Sequence, residues 1–170
     1  MDNILGKDLM VFVDDKALAC ATSHQLSIEA NQIDVSCKDT GEWGASMAGK
    51  LSWNIQCDAL VTVGEDGTLE SGGTNSKSYT DLMDALIARK SVKVVFSTVG
   101  NQPLAAADAS GHVVPTDGWK SGNCGYEGHG VITSIQANAN DGDLCSYTVQ
   151  IQGMGALSKH TTSLTTHTTK

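Results

Sequence analysis

The sequence predicts a mainly β fold, an antiparallel β-sandwich or barrel with one flanking α-helix and a long β-hairpin. Three observations carry this. Eighteen glycines against two prolines in 170 residues, with abundant Ser, Thr and Val, favour strands joined by turns. Several segments alternate apolar and polar residues with a period of two, whereas a single segment shows helical spacing. A chain of this length suits one domain that buries about two-thirds of its unfolded surface, so its core needs no metal or disulfide staple. The domain is expected over residues 1–157, with residues 158–170 as a Thr-rich C-terminal arm too poor in apolar residues to anchor itself.

The elements follow in order. "DLMVFVDDKALACATSHQLSIEA" reads as a short apolar strand, a tight turn at Asp14 and Asp15, and a second extended run, because paired aspartates favour turns. In that run Leu26 and Ile28 point to a core while Ser27, Glu29 and Asn31 point away. Ile33 and Val35 switch the apolar phase, which predicts a bulge near residues 31–33. "SCKDTGEWGASMAG" is a long loop over 36–49 with Trp43 at its centre, and loops of that length are often functional or interface-forming. "GKLSWNIQCDALV" then alternates again. Leu51, Trp53 and Ile55 fall on the apolar side, and Ser52, Asn54, Gln56 and Asp58 on the polar side.

Residues 64–77 form a Gly-rich, flexible surface connection. "SYTDLMDALIARK" places Tyr79, Leu82, Met83, Leu86 and Ile87 at helical spacing behind a cap at Ser78 or Thr80, with Leu82 and Leu86 assigned to the core. "SVKVVFSTV" is a strand, and residues 100–125, holding both prolines, form an irregular connection. The final strands, "GHGVITSIQANA" and "LCSYTVQIQG", flank "NDGD", whose Asp-Gly step is a strong hairpin signal.

Composition narrows function. A net charge of −8 opposes tight phosphate binding, which needs clustered Lys and Arg. The five cysteines are odd in number, widely spaced and free of any Cys-x-x-Cys pair, so neither a disulfide framework nor a zinc site is indicated. They read as reduced thiols of a chain folded in a cytoplasm. The first residues lack the basic flank of a signal peptide, and no apolar run reaches the roughly 20 residues of a membrane span.

His24, His112, His129, His160 and His167 are scattered without metal-ligand spacing. "DGD" at 141–143 reads as a turn rather than a calcium loop, and the glycines of "GNCGYEGHG" lack the Gly-Lys-Ser/Thr ending of a phosphate loop. Ser23 beside His24 lacks a nucleophile elbow. The expectation is therefore no enzyme, no metal and no cofactor.

In order, "ATSHQLSIEANQIDVSCKDTGEWGASMAGKLSW", "SYTDLMDALIARKSVKVVF" and "GHGVITSIQANANDGDLCSYTVQIQGMGAL" resemble the major tail tube proteins of long-tailed bacteriophages, in particular the lactococcal-phage type. The resemblance spans most of residues 10–157 and rests on the order of elements, since none of them is a catalytic signature. It implies a virion structural protein whose hairpins, residues 24–35 paired with 50–63, join six copies into a ring and whose rings stack into a tube. It further implies assembly in the bacterial host cytoplasm and location in the virion tail. Its partners are then further copies of itself, tape measure and tail terminator or distal tail proteins, and DNA crossing the lumen without specific binding, with no membrane partner.

Within that resemblance Ser27, Glu29, Asn31, Ser52, Asn54, Gln56 and Asp58 face the lumen. Lys38, Asp39, Glu42, Trp43 and Met47 form the inter-subunit loop. A close variant is the inner tube of a contractile tail or tail-derived injection system. From another class, a β-sandwich carbohydrate-binding module would use Trp43 and Trp119, and an enzyme would need a pocket uniting Cys124, His129 and Asp141.

Overall fold

Two adjacent aspartates set the first turn. The computed structural model describes residues 4–39, 43–63, 69, 75–100, 115 and 117–161. After a 3-10 turn at Gly6–Asp8, strand β1 (Leu9–Val13) turns back into β2 (Lys16–Leu18). Asp14 and Asp15 adopt φ of 51° and 64°, the left-handed pair that a two-residue hairpin requires and that aspartate tolerates. Asp14 Oδ1 accepts from the Lys93 backbone N–H at 3.1 Å, which ties the turn to a neighbouring strand.

A left-handed residue, Cys20 at φ 49°, separates β2 from β3 (Ala21–Asp34), so the predicted second run is two strands with different partners. Strand β3 pairs antiparallel with β4 (Ser46–Leu60) from Ala21 opposite Ala59 to Asp34 opposite Ser46, with the register shifting between Ala30 and Gln32. The predicted bulge lies there. The hairpin is longer than expected: pairing continues past Gly49, and the connection shrinks to residues 35–45.

Strand β5 (Ser76–Lys77) precedes helix α1 (Tyr79–Ile87), and then come β6 (Ser91–Val99), β7 (Ser121–Asn138) and β8 (Ser146–Lys159). Ser78 is the helix N-cap, and its backbone N–H donates to the Asp81 carboxylate at 3.0 Å, half of a capping box. The expected Asp-Gly hairpin joins β7 to β8, with Gly142 at φ 86°. The expected connections at 64–77 and 100–125 fall largely outside the described residues, but β7 takes up residues 121–125 of the second.

All strands belong to one eight-stranded sheet in the order β3-β4-β8-β7-β6-β1-β2-β5. Its core draws Trp53, Ile55 and Cys57 from β4, Tyr147, Val149 and Ile151 from β8, Val92 and Val94 from β6, and Val11 and Val13 from β1, together with Leu82 of α1. Strands distant in the sheet order thus share one core, so the sheet folds over on itself, with α1 packed against that core through Leu82. Tyr79 of α1 meets Tyr147 edge-on, with centroids 5.3 Å apart.

The core differs from expectation at two positions. Trp53, Ile55 and Leu82 are buried, and Leu26 and Leu86 pack on them while partly exposed. Ile28 and Leu51, expected in the core, are 54% and 74% exposed. The reason is topological. Strand β8 pairs with β4 only from Asn54 to Leu60, so beyond Trp53 the β3–β4 hairpin leaves the sheet and its apolar side faces an open cavity rather than a packed layer. At the other terminus, β8 runs on to Lys159, where Ser158 and Lys159 are exposed but paired with Glu127 and Tyr126 of β7, and His160 is 7% exposed; residues 162–170 lie outside the described residues.

Candidate functional site

Residues directly opposite one another in antiparallel strands share a face. Ser23, Gln25, Ser27 and Glu29 of β3 oppose Asp58, Gln56, Asn54 and Ser52 of β4. In turn Asp58, Gln56 and Asn54 oppose Thr148, Gln150 and Gln152 of β8, and β8 places Gln150, Thr148 and Ser146 opposite Ser134, Gln136 and Asn138 of β7. The result is a polar face continuous across four strands. Its two charges in this paired region, Glu29 and Asp58, are both negative, and Lys50 continues the β4 row toward the hairpin tip.

Asp58 is the best-held side chain of this face. It accepts from Ser23 Oγ and Thr148 Oγ1, each at 2.6 Å, so one carboxylate joins β3, β4 and β8. Those two hydrogen bonds hold its pKa below the ordinary carboxylate value, because they stabilise the charged form. The face therefore keeps its negative charge at neutral pH. Gln152 Nε2 donates to the Trp53 carbonyl at 3.0 Å, and Thr133 Oγ1 donates to the Gln150 carbonyl at 3.2 Å. A shallow cavity of about 220 Å³ lies between these side chains.

Of the lumen candidates, Ser27, Ser52, Asn54, Gln56 and Asp58 are thus brought together with Glu29 on one face. Asn31 sits within the register shift, at the edge of the set. The rows on β7 and β8 were missed from sequence, although "TVQIQ" and "TSIQAN" carry the same alternation as the hairpin. Which row joins which is a matter of long-range register, and no local pattern states it.

The reverse side of this region is apolar. Trp53 is 4% exposed, and its indole N–H donates to the Gly155 carbonyl at 3.1 Å. A Cβ at Gly128 or Gly153 would collide with the indole, so these glycines make room for it. Past Trp53, a cavity of about 520 Å³ is lined by Ile28, Leu51, Tyr126, Ala156 and Leu157 among others. At the hairpin tip Lys38 and Asp39 form an exposed turn, and Glu42 lies outside the described residues. Trp43 is 85% exposed, while Met47 belongs to β4 rather than the loop and is 57% exposed.

Other candidates separate. Trp119 lines a cavity with Cys20, Ala21 and His24 at the start of β3, whereas Trp43 follows the end of that strand, so the two do not build one sugar platform. No described cavity collects Cys124, His129 and Asp141. His160 sits between Glu127, 2.6 Å from Nδ1, and Ser121, 3.1 Å from Nε2. This has the order of a nucleophile relay, but none of the described cavities is lined by Ser121 or His160, and the contact instead fastens the end of β8 to β7. Among the described residues no group of three or more His, Cys, Asp or Glu side chains could hold a metal ion.

No protein-family model matches the chain, and neither does any curated protein. Solved structures do. The chain is similar to one in the virion of a native gene transfer agent particle, with 17% identity over 92% of this chain and 98% of that one and a TM-score of 0.62. A chain of the SPP1 tail tube matches with 12% identity over 95% of this chain and 83% of that one, at a TM-score of 0.60. This is the fold of a tail tube chain. A chain from the sheath/tube terminator of an extracellular contractile injection system shares it with 14% identity over 92% and 96%, at a TM-score of 0.55.

Proposed function

We propose that this chain is a tail tube subunit of a virion, with its four-strand polar face lining the channel. The observation that carries this is the face itself, together with its two open edges. Among the described residues no strand pairs with the outer edge of β3, and β6 pairs with β7 only as far as Val131. Residues 132–138 of β7 therefore offer a second edge. Strand directions alternate from β3 through β4 and β8 to β7, so β7 of one copy meets β3 of the next in antiparallel sense. Repeating that junction closes a ring and removes both edges, which otherwise invite uncontrolled pairing.

The resemblance implies six copies. Six four-strand sections give about 24 strands; with about 4.8 Å between strands and about 40° of tilt, the backbone circle is about 48 Å across. That is wider than a DNA duplex. The lining suits transit: DNA carries one charge per roughly 1.7 Å, and a lysine-rich wall would hold it at every ring, whereas amides, hydroxyls and two acids do not. Repulsion from Glu29 and Asp58 acts within a Debye length of about 8 Å, which keeps the duplex off the wall without barring entry.

The exposed Ile28 and Leu51 fit the same reading, since contiguous exposed apolar side chains mark contact surfaces. The role is structural rather than catalytic, with tape measure and terminator proteins as tail partners. The inner tube of a contractile tail is the variant favoured by the likeness to the injection-system chain. The test is electron microscopy of concentrated purified protein and of particles containing it. Six-fold rings or hollow tubes are expected, and a monomer in both settings rejects the assignment.

A further inference from the structure

Two features of this chain complement each other chemically, and they lie at the same end of its polar face but at opposite edges of it. Ala21 at the start of β3 pairs with Ala59, and Ser146 at the start of β8 pairs with Leu60 and with Asn138 at the end of β7. Beside the start of β3 a cavity of about 600 Å³ is lined by Leu9, Met10, Leu18, Cys20 and Trp119, with Lys7 as the charged side chain of its lining. Past the end of β7, the turn into β8 carries Leu144, which is 76% exposed; among the described large apolar residues only Trp43 is more so. We propose that this cavity receives Leu144 from the neighbouring copy in the same ring, with Asp141 and Asp143 of that turn against Lys7, and that the contact sets the register in which β7 of one copy meets β3 of the next.

Within one chain the two features are held apart. Strands β4 and β8 stand between β3 and β7, which puts about 14 Å of sheet between the edges. Closing the ring reduces that separation to a single inter-strand step, and the turn that leaves β7 then reaches the start of the next β3. The contact is heterologous, given at one edge of each copy and received at the other, which is the kind that closes by rotation. Backbone pairing between two edges does not choose its own register, yet a slip of one residue would turn a whole polar row to the other face. A side chain seated at one end removes that freedom. The inference rests on the tube reading for the junction and adds the residue that aligns it.

The turn is formed before it docks. The Asp143 backbone N–H donates to the Asn140 carbonyl at 3.2 Å, and the Cys145 carbonyl accepts from the Val61 N–H at 2.9 Å, so Leu144 stands between two held residues and loses little freedom on binding. Asp141 and Asp143 are exposed. An aliphatic anchor with acids beside it thus faces an apolar cavity edged by a lysine, the pattern of an interface with an apolar centre and a charged rim.

Cys20 lines the cavity and is exposed, and exposed Cys37 lies just past the far end of β3, which gives a two-way readout. In the full chain carrying Leu144→Cys and Cys145→Ser, mild oxidation of assembled rings is expected to give an intermolecular disulfide to Cys20, identified by peptide mapping and lost when Cys20→Ser is added. A cross-link to Cys37 would place the turn against a stacked copy instead, and that result, or no cross-link in rings that form, overturns the docking. Leu144→Ser, at an exposed position, is expected to leave the unfolding midpoint unchanged and to raise the concentration needed for ring formation by about thirtyfold, the loss of one buried leucine. Lys7→Glu should raise it by about fivefold, and adding Asp143→Lys should restore it. Unchanged assembly of either single variant, or no rescue by the exchange, overturns the docking. Absence of any ring from the unmodified protein, in solution and in particles, rejects the tube assignment itself.

Discussion

At the scale of residues, Trp53 carries the most information. It belongs to an alternating strand, its ring is buried against the backbone of two glycines, and its N–H is satisfied by the Gly155 carbonyl. Trp53→Ala removes the ring and leaves a cavity that the β-sheet backbone around it cannot fill. A loss of about 3–5 kcal/mol is expected in chemical denaturation, and a change below about 1 kcal/mol would mean that the ring is not a core anchor. The sequence placed Trp53, Ile55 and Leu82 in the core correctly because each sits in a strongly periodic segment. The same periodicity placed Ile28 and Leu51 there, and it misled, since alternation reports which face a residue takes and not whether anything covers that face.

At the scale of elements, short hydrogen bonds between charged and polar side chains pin the strands together. Asp58 joins β3, β4 and β8, and Glu127 with His160 joins β7 to the end of β8. Hydrogen bonding depresses both carboxyl pKa values, through Ser23 and Thr148 for Asp58 and through His160 for Glu127. A depressed folded pKa contributes stability that is present above the unfolded value and is lost as pH falls through the folded one. The protein is therefore expected to lose stability as pH drops from about 4.5 downward. Thr148→Ala, which removes one of the two bonds to Asp58, is expected to shift the acid unfolding midpoint upward, as circular dichroism against pH would record. An unchanged midpoint would show that Asp58 does not pin these strands.

At the scale of the whole molecule, the charge of the proposed channel face is the property to alter. Asp58 is a poor site for this because it also holds strands together, whereas Glu29 and Gln150 are exposed and make no side-chain bond to the core. Glu29→Lys with Gln150→Lys is expected to change folding stability by no more than about 0.5 kcal/mol per site. In assembled particles it should slow DNA ejection, with the delay shrinking at high salt. Ejection at the unmodified rate would count against a channel position for this face.

Sequence alone determined what is local: the two-faced strands, the aspartate turn, the bulge near Asn31, the capped helix and the Asp-Gly hairpin all follow from period, turn chemistry and capping within a few residues. Tertiary structure decided how the rows combine. The polar rows of β7 and β8 extend the hairpin's face only because β4 pairs with β8 some 90 residues away, as Asp58 does with Thr148, and such register depends on loop closure and packing of the whole sheet rather than on local pattern. The point where β8 stops pairing with β4, just short of Trp53, likewise separates a buried core from an exposed apolar surface.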